Sequence, residues 1–310
     1  MKLTYFILGL LALVISDASG HQAEDGSSPR NCQNIRENGF VEVGHYVVYN
    51  TVNNTNEATM IYCGEKDGMQ LVDKEDGTAG RSGARNCKEL QDQGMNQDGP
   101  NIIYPYPDHP ETPLLVLCDQ TTQGGGWTVI LRRDDSYDDL TDFARTFEEY
   151  AAGFGYINYD FYIGNDVIHA LTNPSQNELW VTIEDLLGET GYAHYQYFHV
   201  NAREGYAREG YYGNNLPPYM MDCGLYEGTI GDGLEYQNGM GFSTLDQDND
   251  VHDDINCAKT DGGGGWWYRA CYNGLLTGPY GTDYFRWFTE DSYYILSKAQ
   301  MMVRPSSTCT

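Results

Sequence analysis

An α+β fold follows from two alternating apolar segments, a scarcity of helical periods and a high content of Gly and Tyr. Trp127, Val129 and Leu131 alternate with Thr128, Ile130 and Arg132, and Leu179, Val181 and Ile183 alternate with Trp180, Thr182 and Glu184. This period of two is the signature of strands. Helical patterns are few: Thr141 to Tyr150 and Asp160 to Leu171 each read as a short helix. With 36 Gly and 26 Tyr among 310 residues, tight turns between short strands are expected. The stretch from Gly205 to Gly239, rich in Gly, Tyr and Pro, reads as an irregular loop region.

Residues 1–20 have the form of a secretory signal peptide. Lys2 supplies the positive start, Phe6 to Ile15 an apolar run, and Ala18 and Gly20 small residues before a cut. The run is too short to cross a bilayer core of about 30 Å, so a secreted, extracellular chain without membrane insertion is expected. All eight cysteines, Cys32, Cys63, Cys87, Cys118, Cys223, Cys257, Cys271 and Cys309, fall beyond that segment. An even number on a secretory route favours disulfides.

The chain repeats itself at a shift of 55. Asn31-Cys32 matches Asn86-Cys87, Gly39 matches Gly94, Gly44 matches Gly99, Tyr49 matches Tyr104 and Cys63 matches Cys118. The simplest connectivity is then Cys32 to Cys63 and Cys87 to Cys118, each bridge worth roughly 3–4 kcal/mol on a chain-entropy view. Residues 21–65 therefore read as a partial duplicate of the first cysteine loop, residues 66–84 as a polar linker, and residues 85–310 as the main domain. Asn53-Asn54-Thr55 is a glycosylation sequon, with Asn53 the acceptor.

Charge narrows the partners. Eighteen Lys and Arg face 45 Asp and Glu, a net −27, which repels nucleic-acid phosphates and anionic lipid and favours cations. The acid is concentrated at Asp246, Asp248, Asp250, Asp253 and Asp254, five carboxylates within nine positions. Hard cations such as calcium need six to eight oxygens, which clustered Asp and loop carbonyls supply. An EF-hand is excluded, because Val251 stands where that loop needs Gly and Cys257 where it needs Glu. His194 and His199, five apart in a strand-like segment, point to opposite faces and make a poor metal pair. No catalytic motif or nucleophile–base arrangement is visible, so no enzyme activity is expected.

Several segments occur together in an order that resembles a known family. They are Gly125-Gly126-Trp127-Thr128, Gly153-Phe154-Gly155, Gly164-Asn165, Ile168-His169-Ala170-Leu171-Thr172, the acidic loop, Gly265-Trp266-Trp267-Tyr268, Cys271, and Met301-Met302-Val303-Arg304-Pro305. From about Arg85 to Pro305 the chain resembles the fibrinogen-related domain, the C-terminal globular domain of fibrinogen, including ficolin- and tachylectin-like secreted lectins. The resemblance implies a small N-terminal disulfide subdomain, a central antiparallel sheet with short helices, and an irregular loop-rich region that binds calcium and ligand. It also implies disulfides Cys87–Cys118 and Cys257–Cys271 and a cis peptide at Ala270-Cys271.

Carried over position by position, Asp248 and Asp250 match the two side-chain calcium ligands. His252 and Asp254 match positions that ligate through backbone oxygen. One extra residue precedes Cys257, which makes Ile255 an alternative to Asp254, and neither Asp246 nor Asp253 is expected to ligate. In related lectins the cis bond and nearby aromatics line a pocket for acetyl groups, which makes Ala270, Cys271, Tyr272, Asp283 and Tyr284 candidate ligand contacts. The chain departs there: Tyr272 replaces a common His, Gly262 replaces a pocket Tyr, and the loop from Tyr272 to Trp287 is short.

The expected function is secreted, calcium-dependent, lectin-like binding of glycans or acetylated groups on a cell or microbial surface, as in innate defence. A protein-binding module, such as a receptor ligand, clotting or matrix component, is the alternative. The resemblance leaves Cys223 and Cys309 unassigned: they could join each other, or Cys309 could link two chains into a homo-oligomer.

Overall fold

A computed structural model describes residues 44–52, 55–63, 83–109, 113–136, 140–204, 216–288 and 293–306. The chain divides into two units, Met1–Ser82 and Gly83–Thr310. Of the first, an antiparallel hairpin is described, β1 (Gly44–Val52) with β2 (Thr55–Cys63). Gly44 stands opposite Cys63 there, and at the shift of 55 Gly99 stands opposite Cys118 in the second unit. The same pairing register thus recurs in both copies of the sequence repeat. Cys32, Asn53, Cys309 and the segment read as a signal peptide lie outside the described residues, as does all but the last two positions of the linker 66–84.

The second unit opens with helix α1 (Cys87–Asp92), capped by the Asn86 side chain accepting from Glu89 N. It continues through β3 (Gly99–Ile103), β4 (Leu114–Asp119), β5 (Trp127–Asp134), α2 (Phe147–Ala152), β6 (Phe154–Gly155), β7 (Phe161–Tyr162), α3 (Asn165–Thr172), β8 (Asn177–Asp185), β9 (Thr190–Val200), β10 (Met221–Gly228), α4 (Cys257–Thr260), β11 (Gly274–Leu275), β12 (Arg286–Phe288) and β13 (Tyr293–Pro305). The main path of the sheet runs β10-β9-β8-β13-β5-β4-β3, antiparallel throughout. The long last strand inserts between β8 and β5, so the end of the chain closes the middle of the sheet.

Three expectations change. The first helix begins at Phe147, because Thr146 and Glu149 form a reciprocal capping box. The second begins at Asn165, since Phe161–Tyr162 pairs with β5 and Gly164 takes a φ of 109° at the helix start. The region 205–239 is not wholly irregular: Met221–Gly228 is a strand, paired on one side with β9. On the other side the Asn238 amide satisfies both Cys223 N (3.0 Å) and Cys223 O (2.8 Å). Side-chain and partner-strand hydrogen bonds, not an apolar pattern, make that segment extended.

The disulfides Cys87–Cys118 and Cys257–Cys271 are present, and Cys223 is buried with a free thiol. Arg304 in β13 lies 4.0 Å over the Trp127 ring and donates to the carbonyls of Gln123 (2.9 Å) and Gly125 (2.7 Å). It thereby clamps the Gly-rich turn before β5. Gly125 must lack a side chain, because a Cβ there would lie 2.2 Å from Gln120 O.

Arg304 also donates to Glu178 (2.7 Å), whose second oxygen lies 2.6 Å from His194 Nε2; His194 Nδ1 lies 2.9 Å from Glu227. The Glu178 hydrogen bond, against burial and with help from Glu227, holds the His194 pKa above the ordinary His range. Burial pushes Glu178 up, but the bonds from His194 and Arg304 bring it below the usual Glu range. The pair therefore contributes fully between the ordinary values of the two groups, roughly pH 4.5–6.5. The His194 share is lost as pH rises through its raised value, and the Glu178 share as pH falls through its lowered one. His194→Gln is expected to cost about 1–2 kcal/mol at pH 6 and less at pH 9 in urea unfolding. An equal loss at both pH values would show that the ion pair is not the source.

Candidate functional site

The acidic loop is held from both ends. Ser243 and Trp266 exchange backbone hydrogen bonds of 2.8 and 3.0 Å, and Asn249 donates its side-chain amide to Phe242 O at 2.7 Å. Asp246 is engaged outside the Asp248–Asp250 pair. Its carboxylate accepts from Thr244 Oγ1 (2.8 Å) and from Phe147 N (2.9 Å), so it caps α2. That role accounts for a carboxylate the sequence could assign to no ligand position.

Asp248 and Asp250 come together. Asp248 accepts from Asp250 N at 3.2 Å, and Asp250 accepts from His252 N and Cys257 N, both at 2.8 Å. Burial, and then the neighbouring Asp248 charge, push the Asp250 carboxyl above the usual Asp range, although the two backbone N–H groups oppose this. Asp253 and Asp254 are exposed, and the His252 ring accepts from Asp254 N at 3.3 Å. Among the described residues no group of three or more His, Cys, Asp or Glu side chains converges. Two adjacent carboxylates with no cationic side chain among the described residues in an ion pair with them suit a hard cation whose remaining ligands are carbonyls and water.

The loop is tied directly to the segment around Cys271. Val251 N donates to Arg269 O at 3.0 Å, and Cys257, whose N–H meets Asp250, is disulfide-bonded to Cys271. The Ala270-Cys271 peptide is cis. Around it Arg269 N donates to Cys271 O (2.6 Å), and the Tyr236 hydroxyl donates to Ala270 O (3.3 Å). Ala270 is exposed and Cys271 half-buried.

Tyr272 is buried, edge-on to Tyr268 at 5.7 Å, with the Arg286 guanidinium 4.8 Å over its ring. Burial raises its hydroxyl well above the ordinary Tyr range, with Arg286 opposing and Asp261, Tyr284 and Asp283 adding to the rise. These groups therefore share one neighbourhood. Gly262, at φ 90°, closes it: a Cβ there would lie 2.6 Å from Pro279 and 3.1 Å from the Tyr284 ring. Tyr284 thus occupies the space beside the backbone where a side chain would stand, and Asp283 is exposed at the rim. Asp261 is also pushed up by burial, against Thr260 and Arg286.

The sequence named Asp248, Asp250, His252 and Asp254 for the metal and Ala270, Cys271, Tyr272, Asp283 and Tyr284 for the ligand, but not Tyr236, Asp261, Arg269 or Arg286, which lie against them. Tyr236 reaches the site from a turn 35 residues before Cys271, and Arg286 from the start of β12, with no local motif. The two histidines go separate ways, His194 to Glu178 and Glu227, His199 to Thr172 O and Asn201.

A disulfide-braced antiparallel domain whose loops set an acidic pair beside a cluster of aromatic side chains has the architecture of a recognition module. Residues 83–306 match the family described as fibrinogen beta and gamma chains, C-terminal globular domain. The chain belongs to that family, whose domains are generally binding modules. It is 36% identical to Ryncolin-4 of Cerberus rynchops over 235 residues, 73% of this chain and 62% of that protein. It is 33% identical to Microfibril-associated glycoprotein 4 of Mus musculus over 228 residues, 70% of this chain and 83% of that protein. The match to Ryncolin-4, and that to Fibrinogen-like protein A of Apostichopus parvimensis at 64%, thus spans less than two thirds of the relative's length. Among solved structures it is similar to the fibrinogen-like globe domain of human ANGPTL2, with TM-score 0.60, 34% identity, and 72% of this chain and 99% of that one covered. It is also similar to lamprey fibrin D-dimer complexed with the peptide Gly-His-Arg-Pro-amide, with TM-score 0.60, 27% identity, and 73% and 75% covered. No helix among the described residues is long and apolar enough to cross a membrane.

Proposed function

We propose that the chain is a secreted, calcium-dependent recognition protein whose pocket beside Ala270-Cys271 binds glycans or acetylated surface groups, as in innate defence. Calcium would be held by the Asp248 and Asp250 carboxylates and by backbone oxygens of His252 and Asp254, Ile255 being the alternative to the latter. Bound there, the ion supplies charge neutralisation for two crowded carboxylates, a structural and not a catalytic service. The observation that carries the reading is the double link between loop and pocket: the Val251–Arg269 hydrogen bond and the Cys257–Cys271 disulfide. Ordering the loop holds Arg269, Ala270 and Cys271 in place, with Tyr272, Tyr284 and Asp283 forming the ligand wall.

The test is glycan-array binding with and without a chelator. Binding to acetylated glycans is expected with calcium and its loss without. Chelator-insensitive binding would sink the coupling, and an empty array would sink the glycan reading.

A protein or peptide partner is the second reading. It is favoured by the acidic Asp261 and Asp283 beside Tyr272 and by the peptide bound to the lamprey relative. Recovery of a single protein partner in a pull-down, with an empty array, would decide for it. Secretion, glycosylation at Asn53 and chain linkage through Cys309 belong to the same proposal; intact mass with and without reductant tests the last.

A further inference from the structure

The central sheet carries a groove of about 630 Å³ on the face opposite the buried side chains of Leu179, Val181 and Ile183. Its volume falls within the range of small-ligand sites, roughly 300–1,000 Å³. None of the pocket residues around Cys271 lines it. Strand register sets a single row across it: Tyr192 stands opposite Thr182, Thr182 opposite Gln300, and Gln300 opposite Arg132. An aromatic ring, a hydroxyl, an amide and a guanidinium therefore stand side by side on four strands.

Tyr192, half-buried, lies flat on Trp180, with ring centroids 4.5 Å apart and planes 6° from parallel. The Trp180 indole N–H is buried without a hydrogen-bond partner, an unmet group of the kind tolerated where something other than stability sets a side chain. The Gln300 amide meets a thioether, Met302 Sδ, at 3.5 Å, a weak acceptor that a ligand oxygen could outcompete.

The occupant follows from what the groove lacks. Its three cations are partnered, Lys298 with Glu184 at 3.3 Å, Arg132 with Asp134 at 3.9 Å and the buried Arg133 with Asp160 at 3.6 Å, so it is locally balanced on a chain of net charge −27. A polyanion meets no net positive field there. An added peptide strand meets no free edge, because β8 and β13 are paired on both sides. A flat aromatic platform bordered by a hydroxyl, an amide and ion-paired charges suits a ring that is apolar on its face and hydroxylated at its rim.

We propose that this groove is a second ligand site, taking a neutral, non-acetylated pyranose oligosaccharide stacked on Tyr192 and hydrogen-bonded along the row to Arg132. Titration calorimetry of the full chain with cellotriose and with laminaritriose, in the presence of a chelator, tests it. Saturable binding of at least one trisaccharide is expected, with a Kd on the order of 1 mM. It should persist in excess N-acetylglucosamine and weaken at least about tenfold in Tyr192→Ala and in Gln300→Arg, which crowds the row. If Tyr192→Ala fails to fold, Gln300→Arg carries the comparison. Absence of saturation with both sugars, unchanged affinity in the groove variants, or competition by N-acetylglucosamine would each overturn the proposal. Because chelator and competitor silence the pocket near Cys271, failure here is distinguishable from failure there.

Discussion

Arg133→Leu is expected to destabilise the protein by about 3–5 kcal/mol, measured as the shift in urea unfolding at pH 7. Arg133 is 2% exposed and is enclosed by three rings, Phe143 at 4.0 Å, Tyr280 at 4.1 Å and Phe285 at 4.7 Å. Its Nη1 donates to Leu276 O (3.1 Å) and Gly278 O (3.0 Å), and its Nε faces Asp160 at 3.6 Å, an ion-pair distance too long for a hydrogen bond. Leucine would fill much of the volume but leave two carbonyls and the buried Asp160 without a cation. Burial already holds the Asp160 pKa above the usual Asp range, with Arg133 the main opposing influence. Without Arg133 that value rises further, so the variant folds more readily with Asp160 protonated. The difference from wild type should therefore shrink at pH 4.5. A penalty that stays constant with pH would assign the loss to packing alone.

The same side chain joins the frame to the site. Leu276, Gly278 and Tyr280 lie in the segment whose Pro279 packs on Gly262, so Arg133 ties the sheet to the segment beside the proposed ligand site. Ligand affinity should fall in any Arg133 variant that remains folded.

Asp250→Ala is expected to weaken calcium binding by at least about 100-fold and to remove the rise in melting temperature on adding calcium. The substitution deletes a proposed ligand and both acceptors that fix His252 N and Cys257 N. Asp254→Ala is the contrasting variant. Its assigned contribution is a backbone oxygen, so calorimetric affinity should change by no more than a few fold. Equal losses in the two variants would overturn the assignment of ligand atoms, and no calcium binding by the unaltered chain would overturn the site.

Much of this protein could be read along the chain because the relevant interactions are local or periodic. The alternation at Trp127–Arg132 and Leu179–Glu184 marks two strands of the sheet core, and the shift-55 repeat anticipates a register seen in both hairpins. The closeness of Asp248 and Asp250 follows from two residues of separation in a loop. Thr146-Phe147-Glu148-Glu149 contains its own helix start, a signal present in the sequence at a position later than the apolar pattern suggests.

What the sequence determined by itself was the class of fold, the shift-55 repeat and the position of the acidic pair, all legible in local pattern. Only the tertiary structure decided that Asp246 caps a helix 99 residues earlier and that Arg133 holds the carbonyls of Leu276 and Gly278. It also set Arg286 against Tyr272 and placed Tyr192, Thr182, Gln300 and Arg132 in one row. The physical reason is the same in each case. A buried charge or a cross-strand neighbour is chosen by sheet register and loop closure over long separations, and no local pattern records which partner the fold will bring.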